Sequence, residues 1–340
     1  MLHLIQIIED SKVPKYKQII NSLFTAIENG DIKKNDKLPS VNELLIEFDI
    51  SRDTIVRAYD YLKKRELIES VPGKGYYIKK DDLVLKAKVF LLFNKLSGHK
   101  KIIYDAFAKE LGDNATIDFF IYDNNYRQFK NLIEASKARN YTHFTIICHF
   151  EEGGEDLINF INNQIPIEKL IILDKKVELL GSTVGCIYQD FEKNIYEALA
   201  ELNPQLKKYK QIKLLLRKRT YHPIEIKSGF IKFCGQYAYD FKIVEEIENE
   251  TIEKDTAYIN LMENDLVILI KKIKETNFVL GKDVGIISYN DTPLKEILLD
   301  GITVISTDFE QLGKEAAKLV INKQKYQKEN PFYVILRKSL

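Results

Sequence analysis

Leu38-Pro39-Ser40-Val41-Asn42-Glu43-Leu44-Leu45-Ile46-Glu47-Phe48, then Asp49-Ile50, then Ser51-Arg52-Asp53-Thr54-Ile55-Val56-Arg57-Ala58-Tyr59-Asp60-Tyr61-Leu62 read as two short helices joined by a tight turn. Ser40 with Glu43 three residues later has the spacing of a capping box, so a helix is expected over about 41–48 with Leu44 and Leu45 facing inward. Ser51 is a second N-cap. The helix behind it, about 52–64, sets Ile55, Ala58, Tyr59 and Leu62 on one apolar stripe. Its first turn leaves Arg52, Asp53 and Val56 outside, with Arg57 a turn further on. A second helix that begins with polar and basic residues after a tight turn suits insertion of its N-terminus into a DNA major groove.

Leu67-Ile68-Glu69-Ser70-Val71 and Tyr76-Tyr77-Ile78 follow as two strands, turned by Pro72-Gly73-Lys74-Gly75. This hairpin reads as a wing with Lys74 at its tip. Residues 51–80 hold eight Lys/Arg against four Asp/Glu, although the whole chain is almost neutral, with 51 basic and 50 acidic residues. A local basic surplus on a neutral protein fits contact with a polyanion. Arg reads guanine edges bidentately, and hydroxyls near helix N-termini suit phosphate contacts.

Working outward, Pro14-x-Tyr16-x-x-Ile19, Ile27-x-x-Gly30, Leu38-Pro39-Ser40, Ser51-Arg52-x-Thr54, Ala58-Tyr59-x-x-Leu62 and Gly73-Lys74-Gly75-Tyr76-Tyr77-Ile78 together resemble the GntR family winged-helix domain. The resemblance covers about residues 13–78. It implies a dimer on operator DNA. Arg52 takes the groove-reading role and Arg57 the basic role on the recognition helix. Ser40, Ser51 and Thr54 take phosphate contacts, and Lys74-Gly75 the minor-groove wing. Asn42 stands where many members have an Arg that often touches DNA. Asn35 replaces a frequent Gly, and Val56 replaces the Arg of one large subgroup, so a different operator preference is expected.

The 340 residues are 45% hydrophobic and 30% charged, as in an ordinary globular protein of about two domains. The division expected is a DNA-binding domain over 1–79, a charged linker over 80–86 and a larger domain over 87–340. In the last of these, apolar runs at 88–93, 116–122, 143–148, 169–173, 183–188, 211–216, 240–244, 257–260, 284–288, 303–305 and 332–336 alternate with helical patterns. Alternation of this kind predicts an α/β domain with parallel sheets. Helical stripes include Ile102, Ile103, Phe107 and Leu111; Phe129, Leu132 and Ile133; and Leu312, Ala316, Leu319 and Val320.

Residues 283–293, 301–309, Gln311-Leu312-Gly313 and Ala316-Ala317 resemble the sugar-responsive LacI-type effector domain, which is related to periplasmic sugar-binding proteins. Ser228-Gly229-Phe230 and Ile172-Leu173-Asp174 fit the same pattern. The resemblance implies two Rossmann-like lobes, a ligand cleft between them, and three chain crossovers that return the C-terminal segment to the first lobe. In doubly wound sheets, ligands bind beyond the carboxyl ends of strands. The polar residues expected there are Asn94, Ser97, Asp123, His149, Asp174, Arg217, Arg219 and Asn290. The family usually has Asp at the position of Asn290, and an Arg three residues before its Gly-Phe pair. Here that second position is Ile226, beside Lys227, so an altered ligand mode is expected.

Cys148, Cys186 and Cys234 form no CxxC pair and fit a reducing compartment. No signal-peptide pattern is present, and no apolar run approaches the roughly 18 residues of a membrane span. A cytoplasmic protein is expected. His99 and His149 are isolated, so neither a metal nor a cofactor is expected, and no G-x-S-x-G, H-E-x-x-H or G-x-G-x-x-G motif points to an enzyme. The reading is a regulator that binds operator DNA and a small effector, a monosaccharide or sugar phosphate, as a homodimer. Its competitors are an enzyme with a regulatory head and a ligand-binding module acting through protein partners.

Overall fold

The computed structural model describes residues 1–11, 13–80, 86–177, 183–322 and 325–340. They form two compact units, 1–85 and 86–340. The expected linker at 80–86 lies mostly outside the described residues.

The first unit is a winged helix. Helices α1 (Lys15–Glu28), α2 (Val41–Phe48) and α3 (Arg52–Lys64) precede strands β1 (Ile68–Val71) and β2 (Gly75–Ile78), which pair antiparallel. Ile19, Leu23, Leu44, Ile55, Ala58, Tyr59 and Leu62 make the core. Tyr59 donates its buried hydroxyl to the Pro39 carbonyl at 2.5 Å, which ties α3 to the turn before α2. Leu45 departs from the expectation and is 38% exposed, whereas Leu44 is fully buried. Neighbouring residues on a helix point about 100° apart, so an eight-residue helix on a small core buries only one of them. Residues before 13 add a piece that no motif signalled. Ile5 is buried, and the Gln18 amide on α1 receives the Ile8 N–H and donates to the Val13 carbonyl.

The second unit has two lobes, each built on a six-stranded sheet. Lobe one contains β3 (Ala87–Phe93), α4 (Gly98–Leu111), β4 (Ala115–Ile121), α5 (Tyr126–Ser136), β5 (His143–Ile147), α6 (Leu157–Gln164), β6 (Leu170–Lys175) and β7 (Gly185–Gln189). Lobe two contains α7 (Phe191–Glu201), α8 (Asn203–Leu206), β8 (Gln211–Leu215), α9 (Ile224–Tyr237), β9 (Asp240–Val244), β10 (Thr256–Asn260), α10 (Glu263–Lys274), β11 (Val284–Tyr289), α11 (Pro293–Ile297) and β12 (Thr303–Thr307). The chain then returns to lobe one for α12 (Phe309–Ile321) and β13 (Gln327–Glu329), and ends in lobe two with β14 (Phe332–Ile335). The sheet orders are β13-β7-β6-β5-β3-β4 and β14-β12-β11-β10-β8-β9, parallel except for β14.

Three crossovers therefore join the lobes, as the resemblance implied, but the final strand belongs to lobe two. Just past that strand, the Ser339 hydroxyl accepts from the Thr303 N–H and donates to the Ile286 carbonyl, both at 2.7 Å. The crossovers are stitched to one another. Asn330 donates through its side chain to Thr307 Oγ1 at 2.7 Å and to the Asp308 carbonyl at 2.8 Å. Its own N–H reaches the Tyr188 carbonyl at 2.7 Å. Asp190 and Asp308, which start α7 and α12 just past two crossovers, both cap those helices.

Each lobe packs two helices at close range through a glycine. A Cβ on Gly229 of α9 would stand 2.2 Å from the Glu192 carbonyl oxygen of α7, and one on Gly313 of α12 would stand 2.5 Å from the Ile103 carbonyl oxygen of α4. These contacts leave no room for a larger residue.

Candidate functional site

The first candidate surface is the start of α2 and α3. The Ser40 Oγ accepts the Glu43 N–H at 3.2 Å, and the Glu43 carboxylate accepts the Ser40 N–H at 2.6 Å. These bonds to Ser40 hold the Glu43 carboxyl below its usual range. Ser51 Oγ accepts the Thr54 N–H at 3.3 Å and shares a hydrogen bond with Thr54 Oγ1 at 2.8 Å. Both helix starts are thus fixed by their own side chains. Replacing Ser40 by Ala is expected to destabilise the start of α2 by about 1 kcal/mol, seen as faster amide exchange across its first turn.

Arg52 is exposed and enters no ion pair among the described residues. Asn42 is exposed in the first turn of α2, and Lys74 is exposed in the turn between β1 and β2. Gly75 there has a φ of 110°, a conformation that favours glycine. Arg57 takes a different direction. Its guanidinium lies 4.1 Å from the ring centroid of Tyr16 on α1, a cation–π contact that turns it along the helix flank. Lys37 was not singled out by any motif, yet its Cε lies 3.4 Å from where a Cβ of Gly75 would be, beside the wing.

The second candidate is a cleft of about 270 Å³ between the lobes, formed where strand ends and helix starts converge. That is near the lower end of the roughly 300–1,000 Å³ typical of small-ligand sites. Its floor centres on Asp174 at the end of β6. The Lys100 Nζ donates to Asp174 Oδ2 at 2.7 Å and His149 Nε2 to the same oxygen at 3.1 Å, while Gln189 Nε2 donates to Oδ1. Lys100 and Asp174 are only 4% and 5% exposed. Burial pushes the Asp174 carboxyl up, but Lys100 and His149 outweigh it and hold it well below the usual carboxylate range. Burial lowers His149 despite Asp174, so its imidazole is neutral and the bond to the carboxylate is a hydrogen bond.

Around this floor stand buried polar atoms with no hydrogen-bond partner among the described residues: Asn94 Oδ1, Gln189 Oε1, His222 Nε2, Tyr289 OH and Asn290 Oδ1. Buried polar groups are normally hydrogen-bonded, so atoms of this kind converging on one cleft mark a place for hydroxyl partners. Phe191 and Phe309, the first residues of α7 and α12, line the same cleft. Three polar contacts span the lobes near it: Lys95 to the Tyr221 hydroxyl, Arg219 to Glu152, and Lys175 to Glu225 at 3.4 Å.

Of the residues expected at a ligand site, Asn94, Ser97, His149, Asp174 and Asn290 come together on the cleft. Ser97 caps α4 through the Lys100 N–H at 3.3 Å. Asp123, Arg217 and Arg219 stand outside its lining. Asp123 is exposed in a left-handed turn after β4. Arg217 is held by Asp265 at 2.6 Å and Glu248 at 2.8 Å, and Arg219 is spent on Glu152. Sequence reading did not single out Lys95, Lys100, Gln189, His222, Tyr289 or Lys295. Lys100 sits one turn into an ordinary amphipathic helix, and only the fold shows that this turn faces Asp174. Ile226, in place of the family's usual Arg, is buried and lines the cleft.

His99 and His222 are held down to about 3, by burial first and then by nearby Lys100 and Lys95 respectively. Unfolded imidazoles protonate near 6.5. The unfolded chain therefore binds more protons between pH 6.5 and 3, and stability present above pH 6.5 is lost as pH falls through that window. Both rings are half-buried, so solvent moderates the effect, and about 1–2 kcal/mol per histidine is expected to be lost between pH 7 and pH 5. Urea midpoints at the two pH values check this, and His222→Gln should flatten the difference.

Among the described residues no group of His, Cys, Asp and Glu is placed to hold a metal ion, and no helix is long and apolar enough to cross a membrane.

Comparison with known proteins separates the two units. Residues 15–78 match the bacterial regulatory proteins of the gntR family. The chain is 33% identical over 105 residues to the HTH-type transcriptional repressor YtrA of Bacillus subtilis, covering 30% of this chain and 78% of YtrA. It is 36% identical over 66 residues to the uncharacterized HTH-type transcriptional regulator YcxD of the same organism, of which it spans only 15%. The second unit is similar in fold to LacI-type proteins. A LacI family transcriptional regulator from Enterococcus faecalis with bound ribose superposes with a TM-score of 0.60 at 18% identity, over 74% of this chain and 98% of that one. A lac repressor dimer bound to operator and an anti-inducer superposes with a TM-score of 0.61 at 16% identity, over 75% and 94%. The sequence match across most of YtrA and the winged helix at 15–78 show that the chain belongs to the gntR family of bacterial regulatory proteins.

Proposed function

We propose that the protein is a ligand-responsive transcriptional regulator that binds operator DNA through α3 and the wing and senses a monosaccharide or sugar phosphate in the interlobe cleft. The carrying observation is the cleft itself, with Asn94, Gln189, Tyr289 and Asn290 offering unpartnered polar atoms around the Lys100–Asp174–His149 floor. These four atoms, with His222 Nε2 as a fifth, lie on a small, largely buried surface and suit a ligand rich in hydroxyls. The ribose and operator complexes of the fold's relatives support the same reading.

Arg52 reads base edges, Lys74 and Gly75 follow the minor groove, and Ser40, Asn42, Ser51 and Thr54 contact the backbone at the helix starts. Arg57, stacked on Tyr16, steadies α3 against α1. The regulator works in the cytoplasm as a homodimer. Exposed Leu294 and Ile297 on α11, at 64% and 74%, support a surface shared between copies. The crossovers let the lobes change their angle, and ligand that favours one angle shifts operator affinity through the spacing of two heads.

Electrophoretic mobility shift on the DNA upstream of the protein's own gene tests this. Specific binding that weakens steeply with salt and changes with a cleft ligand is expected. Absence of sequence preference on any duplex would sink the reading.

A further inference from the structure

We propose that the ligand of the interlobe cleft is a sugar acid, a small polyhydroxylated molecule carrying a carboxylate, and that Lys95 takes that carboxylate. The proposal rests on the sugar-sensing reading above and narrows its chemical class.

The observation is an imbalance of charge. Three lysines line the cleft: Lys95, Lys100 and Lys295. Lys100 is matched by Asp174. Lys95 and Lys295 enter no ion pair among the described residues. Lys295 is 3% exposed, and its ammonium donates to the carbonyls of Tyr289 at 3.0 Å and Asn290 at 2.5 Å. Those are neutral dipoles. The Lys95 ammonium meets only the Tyr221 hydroxyl and the face of that ring, 4.1 Å from its centroid. The other carboxylate on the lining, Glu263, is exposed at the start of α10. A buried ammonium without a counter-charge is costly, and proteins keep such groups where a partner arrives. Burial holds Lys95 and Lys295 down to about 8, with Lys100 adding to it at Lys95 and Arg337 at Lys295, and with the more distant Glu263 carboxylate opposing it at both, so both remain largely charged at neutral pH.

The charges fit a carboxylate better than a phosphate. The lining holds no arginine, the side chain whose fork matches phosphate oxygens in pairs. The arginines that sequence placed here, Arg217 and Arg219, are already bound to carboxylates elsewhere. Lys95 also sits at the junction of the lobes, because Tyr221 belongs to lobe two. A ligand carboxylate on Lys95 would therefore be felt by both lobes at once.

Isothermal titration of the full-length protein tests this with D-galacturonate, D-glucuronate and D-gluconate against D-galactose and D-glucose, with glucose 6-phosphate and inorganic phosphate alongside. At least one acid is expected to bind about 10-fold or more tighter than its neutral parent. Lys95→Met should weaken that acid about 10- to 100-fold, clearly more than it weakens any neutral sugar, and Lys95→Arg should restore most of the loss. Unchanged melting temperatures separate this from misfolding. A neutral sugar that binds as tightly as its acid, a phosphate ester that binds more tightly than both, or an acid whose affinity survives Lys95→Met would overturn the proposal while leaving sugar sensing intact. No binding anywhere in the panel would count against sugar sensing itself, and the proposal would fall with it.

Discussion

Asp174→Ala is expected to destabilise the second unit by about 3–5 kcal/mol, which for a domain of ordinary stability is a large fraction of the total. The reason is what it leaves behind. Lys100 is nearly inaccessible, and Asp174 is its ion-pair partner at 2.7 Å. Without the carboxylate, a buried ammonium faces the cleft with no counter-charge, and the donors of His149 and Gln189 lose their acceptor. A second cost is local. Asp174 has a φ of 76°, which Asp and Asn tolerate better than Ala. Asp174→Asn should therefore cost clearly less, and Lys100→Met added to Asp174→Ala should recover part of the loss, since removing both charges leaves none unpaired. Urea unfolding followed by tyrosine fluorescence checks all three, because the chain has 19 tyrosines and no tryptophan. A double variant as unstable as Asp174→Ala alone would contradict the charge argument, and equal losses for Ala and Asn would contradict the backbone one.

Arg52→Ala is expected to weaken binding to the cognate operator by about 1–3 kcal/mol, roughly 5- to 150-fold, with little change on unrelated duplex. Arg52 is exposed in the first turn of α3, clear of the core residues Ile55, Ala58 and Tyr59, so the fold should be untouched. Lys74→Ala should act differently. A phosphate contact carries no sequence information, so its loss should weaken all duplexes alike and lower the salt slope by about 1. Fluorescence anisotropy on matched and scrambled duplexes over a salt series separates the two. If Arg52→Ala weakens scrambled DNA as much as operator, Arg52 is a backbone contact.

The parts of this molecule that were legible in the sequence are those with a strong local signature. The capping box at Ser40 and Glu43 and the stripe from Ile55 to Leu62 appear in the structure at their expected places. So do the buried strands such as β3 and β11, because a strand covered on both faces must be apolar throughout. Strand β13, Gln327–Glu329, was missed because an edge strand of three polar residues has no apolar signal. Leu45 was misplaced because a hydrophobic pair does not say which member faces the core. The cleft was legible in outline only. Strand-end polar residues are visible in sequence, but whether a loop turns its side chain inward is a tertiary fact. Asp174 and Asn290 turn in, whereas Arg217 and Arg219 find carboxylates nearer to hand. Lys95 and Lys100 flank the start of α4, where a lysine usually means solvent.

The weaving of the chain between lobes has a consequence for biosynthesis. The winged helix closes its contacts within one contiguous stretch, so it can fold as soon as that stretch has left the ribosome. Neither lobe can do so. The lobe-one sheet and helix layer need α12 and β13, and lobe two needs β14, all made after the elements they complete. A nascent or prematurely terminated chain would therefore present a finished DNA-reading head attached to an unfinished sensor. On the proposed function, such a species would carry the DNA-contacting surface without the ligand cleft, and quality control of truncated chains becomes part of how faithfully the switch operates.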